Sequence, residues 1–355
     1  MPPLRLVCLV SLSLAACGET ITVSDDIDIT WDFELTPFDR FDSELHVPYV
    51  RGTATTLHVS SDDDDRRFGG WTVESSDPGV FLLAAPSSDQ YSLRAEGTAM
   101  AEGIAVITVR DTDGDVRGRT EVEVLQPDRI VLEAHGYLIM DRDDEAPIDE
   151  ARIIENGTAT YHVRYFRGNR ELHGNGVLSA IVPAGITAEP RTSFLFENRE
   201  WLTLHTTTPG TFTIDLAADG ESVETRTVEV VPASAVADVA IIAESERGAD
   251  DGDWLVLLAQ AYDSAGRKIF GIDFDWMVDG TMQTESGDLY RYKFKDGAHQ
   301  NVMAKTGAHS DSVTIQSEKG YVDSTNNIGC QAGGGAGLAA AAGMLGLRRR
   351  RRRSV

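Results

Sequence analysis

The chain has 355 residues, room for two or three domains of ordinary size. It carries 32 Lys+Arg against 57 Asp+Glu, a net charge of -25, and without Arg5 and the run Arg348 to Arg353 only 25 basic residues face the 57 acidic ones. That field excludes nucleic acid as a partner, makes anionic lipid a poor one, and favours cations and basic ligands.

The N-terminus has a short basic start and then the apolar run Leu6-Val-Cys-Leu-Val-Ser-Leu-Ser-Leu-Ala-Ala-Cys17. This is the layout of a secretory signal, and the run falls short of the roughly 20 apolar residues a bilayer span needs. Of the three cysteines, Cys8 and Cys17 lie in or at the end of this leader and Cys330 precedes an apolar tail. The body between Gly18 and Gly329 has no thiol, so its domains hold by packing alone, without a disulfide, a Cys-based metal site or a Cys nucleophile.

Leu14-Ala15-Ala16-Cys17 resembles the lipobox of bacterial lipoproteins. The resemblance implies a signal peptide over 1–16, cleavage before Cys17, and acylation of Cys17 as the membrane anchor. Gly18 follows rather than Asp, which points to the outer membrane. Residues 17–41 read as the lipidated Cys and a tether, although Ile27-Asp-Ile-Thr-Trp-Asp-Phe33 has strand alternation.

From about residue 42 to 316 short apolar alternations are broken by Gly, Pro, Asp and Asn, the period-two signature of strands. No run of helical length and amphipathicity interrupts them. One layout occurs three times. Gly103-Ile-Ala-Val-Ile-Thr-Val109 leads through Asp113-Gly114 to Thr120–Val124. Gly210-Thr-Phe-Thr-Ile-Asp-Leu216 leads through Asp219-Gly220 to Thr227–Val231. A degenerate third copy runs from Gly297 to Ile315. Each predicts a final hairpin, with Asp-Gly supplying the positive φ of a tight turn. The glycines are 107 and 87 residues apart, the size of an Ig-type sandwich.

In the first unit Trp71-Thr-Val-Glu-Ser-Ser-Asp-Pro78 precedes Tyr91–Gly97 and the hairpin. This order resembles the bacterial Ig-like group-2 (BIG2) domain of adhesins and envelope proteins. Asp273–Gly280, with Trp276, is the corresponding strand of the third unit. The second unit departs, because its Trp201 lies just before the last hairpin. The predicted fold is all-β, with two to three tandem Ig-like sandwiches over 42–126, 127–232 and 233–316. They are joined at Gln126-Pro-Asp128 and Val231-Pro-Ala-Ser234, short Pro-containing linkers that limit swing and predict a semi-rigid rod. Trp71 and Trp276 are expected in cores.

Four acidic clusters stand out: Asp62–Asp65, Asp111–Asp115, Asp141–Glu145 and Asp250–Asp253. Asp111–Asp115 lacks the spacing of an EF-hand loop and is better explained as a hairpin turn. Asp62–Asp65 runs into Arg66-Arg67, which marks a charge-balanced solvated turn. Asp141, Asp143, Asp144 and Glu145, expected near the first domain junction, are the candidate ligands for the one cofactor this chain suggests, Ca²⁺. The eight histidines form no zinc motif, and neither a Gly-x-Ser-x-Gly elbow nor a P-loop occurs. Tyr290-Arg-Tyr-Lys-Phe294 predicts a strand with its rings on the core side.

A polar stalk over 317–329 leads to Gly329-Cys330, a Gly/Ala/Leu stretch through Leu347 and the arginines. As a helix the stretch from Ala332 would be about 24 Å long, short of the roughly 30 Å hydrocarbon core. Residues 330–355 resemble the MYXO-CTERM sorting signal of myxobacterial surface proteins, which implies processing at Gly329 and Cys330 and display on the cell surface. Cys17, Cys330 or both carry the final anchor.

Together these features predict a non-catalytic, lipid-anchored protein of the outer membrane or cell surface. Its partners would be the membrane through its anchor, the lipoprotein-processing and sorting machinery, and a surface protein or glycan. The rivals are a Ca²⁺-stiffened stalk and an envelope enzyme or carbohydrate-binding factor with its site on sandwich-end loops.

Overall fold

The structure is a computed structural model that describes residues 21–24, 27–32, 42–43, 48–60, 67–88, 92–140, 142, 145–192, 200–243, 254–293 and 300–315. The chain is all-β: six sheets form three tandem Ig-like sandwiches. In the first, Ile21–Ser24, Ile27–Asp32, Ala54–Ser60, Ser92–Ala99 and Phe81–Leu83 line up in one sheet. Tyr49–Val50, Val116–Leu125, Gly103–Arg110 and Thr72–Ser75 form its opposing sheet. The second sandwich pairs Arg129–Ala134, Thr158–Arg167, Glu200–Thr206 and Ile186–Thr192 in one sheet. Its other sheet holds Ala151–Ile154, Glu221–Val231, Gly210–Ala218 and Leu178–Ile181. The third sets Asp238–Ala243, Trp254–Tyr262, Lys268–Ile269 and Leu289–Lys293 against Thr281–Ser286, Asp275–Val278, Gln300–Thr306 and His309–Ile315.

All three final hairpins form. Gly103 pairs with Val124, Gly210 with Val230, and Gln300 with Ile315. At Asp219-Gly220 both residues take positive φ, 50° and 76°, the two-residue turn that matches strand twist. In the first hairpin only Gly114 does so, and the register shifts between Val109 and Arg110. The tail of that strand is bulged rather than tightly closed.

The alternation seen in sequence becomes burial. Ala105, Ile107 and Val109 face the first core, with Val122 and Val124 opposite them. Trp71 packs at 4.8 Å from Phe68, and Trp276 stacks on Tyr290 at 5.1 Å while its Nε1 donates to the Gly287 carbonyl. Tyr290 is buried and its neighbours Arg291 and Lys293 are exposed, as a strand requires. Tyr292's side chain and Phe294 lie outside the described residues.

The expected tether needs correction. Ile21–Ser24 and Ile27–Asp32 are strands, and the second pairs with Ala54–Ser60. The period-two pattern of Ile27, Ile29 and Trp31 supplies a strand that an unpaired sheet edge can take up. Helix is confined to one five-residue turn, His135–Ile139, and a 3₁₀ turn, Ala233–Ala235, among the described residues. No helix among them is long and apolar enough to cross a membrane.

Candidate functional site: two interdomain junctions and one sheet face

The two junctions are built on one plan. In each, a short strand runs parallel to the last strand of its own sandwich and carries an arginine outward to the next. At the first junction Tyr49–Val50 lies beside Val124 and Leu125. Its hydrogen bonding continues into the second sandwich: the Val50 N–H donates to the His173 carbonyl at 2.8 Å, and the His173 N–H to the Pro48 carbonyl at 2.8 Å. Arg51 then reaches the Asp219-Gly220 turn, donating to Asp219 at 2.6 Å and Glu221 at 2.7 Å. Gly52, at φ +89°, must be glycine, because a Cβ there would stand 2.8 Å from the Asp219 carboxylate. Val50 itself belongs to the core of the second sandwich.

The loop that receives this strand is held from inside. Glu200, 2% exposed, accepts the Val177 N–H at 2.8 Å, the Leu178 N–H at 3.1 Å and the Tyr165 hydroxyl. Burial raises the pKa of this carboxyl, and the hydrogen bonds from Tyr165 and the backbone only partly offset the effect. The 173–178 loop is therefore tied to the second core on one side and to the first sandwich on the other. Asn175 donates to the Ala54 carbonyl at 3.3 Å.

At the second junction Ala151–Ile154 runs parallel to Val228–Val231. Phe270 N–H donates to the Arg152 carbonyl at 2.8 Å, and Ile154 N–H to the Phe270 carbonyl at 3.0 Å. Arg152, 4% exposed, donates from Nε to Glu229 at 2.7 Å in its own sandwich and from Nη1 to Asp263 at 2.7 Å in the third. Asp263 organises the turn it sits on, accepting the Ala265 and Arg267 N–H groups and the Arg267 guanidinium, each at 2.9 Å. These bonds, the Arg267 N–H first, hold its pKa down at about 2 against desolvation. Asp111 uses the same geometry at the first hairpin, accepting the Asp113 and Asp115 N–H groups and Arg117. That cluster is a self-contained turn, as its sequence indicated.

Packing closes the second junction further. A Cβ on Gly157 would lie 2.5 Å from the Gly271 carbonyl oxygen, and one on Gly136 would lie 2.6 Å from Leu258 of the third sandwich. Leu258 is counted in the second core, and Val231 and Ile154 of the second sandwich pack into the third. The cores are therefore continuous across this boundary.

A third feature is the outer face of the sheet containing Thr158–Arg167. Cross-strand registers align Glu133, His162, Trp201 and Arg191 in one row. Thr160, Thr203 and Glu189 form the next row, and Thr158, His205 and Thr187 the one after. His135 Nδ1 is 3.0 Å from His162 Nε2, and both rings lie against Trp201 at 4.4 and 4.5 Å. Burial lowers His135 to a pKa of about 4, so its imidazole is neutral at neutral pH.

Several expected site residues, Cys17, Asp141, Asp143, Asp144, Gly329 and Cys330, lie outside the described residues, as do Asp62–Asp65 and Asp250–Asp253. Glu145 is described: it accepts from Arg142 at 3.0 Å, with Lys268 Nζ at 3.8 Å. Its loop therefore meets the third sandwich rather than the first junction, because the chain doubles back through His135–Ile139 toward Trp254–Tyr262. No group of three His, Cys, Asp or Glu side chains with metal-binding geometry occurs among the described residues. Arg51, Arg152, Asp263 and the His135–His162–Trp201 cluster escaped the sequence reading. The available signals were an arginine inside the apolar Ala151-Arg-Ile-Ile154 and the shared Asp-x-x-Gly spacing of Asp111 and Asp263.

No family model matches the chain, and no curated protein matches it. Among solved structures it is similar to domains 4–9 of the surface layer protein SbsC, at 14% identity and TM-score 0.31, over 83% of this chain and 48% of that one. It is also similar to the Escherichia coli adhesin FdeC, at 13% identity and TM-score 0.25, over 82% and 95% of the two chains. The integrin-binding invasin matches at 15% identity and TM-score 0.25, over 75% and 57%. The chain thus spans about half of the SbsC fragment. Likenesses this distant add nothing to the sheet description above.

Proposed function

We propose that this chain is a non-catalytic, lipid-anchored envelope protein whose three sandwiches act as one stiff spacer, holding a binding surface out from the outer membrane. The observation that carries this reading is the construction of the junctions. Both are crossed by main-chain hydrogen bonds, an arginine pair and shared apolar packing rather than by a bare linker. Interfaces of that kind suppress the domain motion expected of loosely linked modules. The signal features at Cys17 and Cys330 support export and anchoring, and the acidic surplus, a net charge of -25, suits a soluble surface.

The test has two arms. Protein purified from native membranes is weighed intact and both ends are mapped. A triacylated Cys17 and a missing arginine run are expected; an unmodified Cys17 with the tail retained would sink the anchoring. Small-angle scattering on the released protein should fit one extended conformer. A broad distribution of interdomain angles would remove the spacer role.

A further inference from the structure

We propose that the outer face of the Arg129–Ala134, Thr158–Arg167, Glu200–Thr206 and Ile186–Thr192 sheet binds a neutral glycan, with Trp201 as its stacking platform. The corresponding faces of the other sandwiches set the contrast. In the first, the described outward side chains are Ala54, Thr56, Arg94, Glu96, Thr98 and Leu82, with no ring among those described. In the third, Leu258 and Gln260 are buried, and Leu258 lies directly over Gly136 of the second sandwich. On the second sandwich Glu133, His162 and Thr203 are buried, while Trp201, His135, Thr158, Thr160 and His205 keep exposed surface.

The chemistry of the face selects the ligand class. Trp201 and His135 are partly exposed aromatic surfaces, and the C–H faces of a pyranose ring stack on such surfaces. Beside them stand Thr160 and Thr203, with hydroxyls 3.2 Å apart, then Thr158 and His205, with Oγ1 2.8 Å from Nδ1. These neutral donors and acceptors suit sugar hydroxyls. The charged groups around the platform already neutralise one another. Arg164 bridges Glu133 and Glu171, Arg129 stands beside it over Phe166, and Glu189 takes Arg191, so three guanidiniums meet three carboxylates, with His205 3.6 Å from Glu189. On a chain of net charge -25 this is a locally neutral patch, complementary to an uncharged polyol and not to a polyanion or a basic peptide.

The inference deepens the display reading and rests on it only for where such a ligand is met. Soluble protein tests the site without the anchor, so the two fail separately. The exported chain is titrated calorimetrically with short soluble oligosaccharides of glucose and of N-acetylglucosamine, in β-1,4 and β-1,3 linkage, and with dextran sulfate. Saturable binding of at least one neutral oligomer is expected, unchanged by high salt. Trp201→Ala should weaken it about ten-fold, and Trp201→Phe, which keeps a ring, by no more than about threefold. His205→Ala should weaken it with no change in thermal unfolding, which keeps the test valid if Trp201→Ala fails to fold. The proposal is overturned if no neutral oligomer binds, if only dextran sulfate binds and salt abolishes it, or if the Trp201 and His205 variants bind like the parent.

Discussion

The two junctions share a plan and differ in burial, and that difference sorts their strengths. At the first, the Arg51 side chain is 24% exposed and its partners Asp219 and Glu221 are 39% and 57% exposed. At the second, Arg152 and Asp263 are 5% and 7% exposed. An ion pair open to water contributes about 0–1 kcal/mol, whereas stripping one partner from a buried pair costs about 3–5 kcal/mol. The junctions are therefore graded: the second and third sandwiches are expected to move as one body, and what bending there is to fall between the first and second.

The strongest way to break this comparison is Arg152→Ala. It removes the buried cation that bridges Glu229 and Asp263, although Asp263 keeps Arg267 and two backbone N–H groups, and a loss of about 1.5–3 kcal/mol in urea unfolding is expected. The transition should also split, with the third sandwich melting first. A loss under about 1 kcal/mol, with a single transition, would mean that the backbone bridges at Phe270 carry the junction without the arginine.

Acid probes the same lock. Asp263 has a folded pKa of about 2, below its unfolded value near ~3.9. Its contribution is thus complete above the unfolded value and lost as pH falls toward the folded one. Protection of the Phe270 and Ile154 amides from hydrogen exchange should decline over that window. In Asp263→Asn it should start lower and stay flat.

Glu200 offers a comparable effect at the first junction. Glu200→Ala strands the Val177 and Leu178 N–H groups and the Tyr165 hydroxyl, at a cost of about 2–3 kcal/mol, and should loosen the contact between His173 and Val50. Glu200→Gln keeps an acceptor for both N–H groups. Because burial raises the folded pKa of Glu200, its ionised form costs stability at neutral pH. The Gln variant should therefore equal or exceed the parent there, with the difference vanishing in acid. A Gln variant as weak as the Ala one would show that the charge itself is needed.

The smallest effect belongs to Arg51→Ala, about 1 kcal/mol or less and reduced further by salt. Its readout is geometry rather than stability, a wider spread of angles between the first two sandwiches in scattering. Equal stability losses from Arg51→Ala and Arg152→Ala would erase the grading.

What was legible in the sequence was local. The hairpins at Asp113-Gly114 and Asp219-Gly220, the core placement of Trp71 and Trp276, and the turn role of Asp111–Asp115 all follow from spacings of a few residues. Alternation and turn chemistry act over that range. Asp279-Gly280, with φ of 49° and 78°, closes another hairpin from the same dipeptide, at a position read only as the end of a strand.

The sequence by itself determined that this chain is a series of thiol-free β-sandwiches of Ig size, because each strand carries its own burial pattern. Only the tertiary structure decided how the sandwiches meet and which face stays open. Arg152 and Asp263 are 111 residues apart, and His135, His162 and Trp201 come together from two strands and a helix start. Nothing in the local alternation of either partner encodes such a meeting. It arises when sheets stack and a short parallel strand overshoots its own sandwich, so that the next one folds against it.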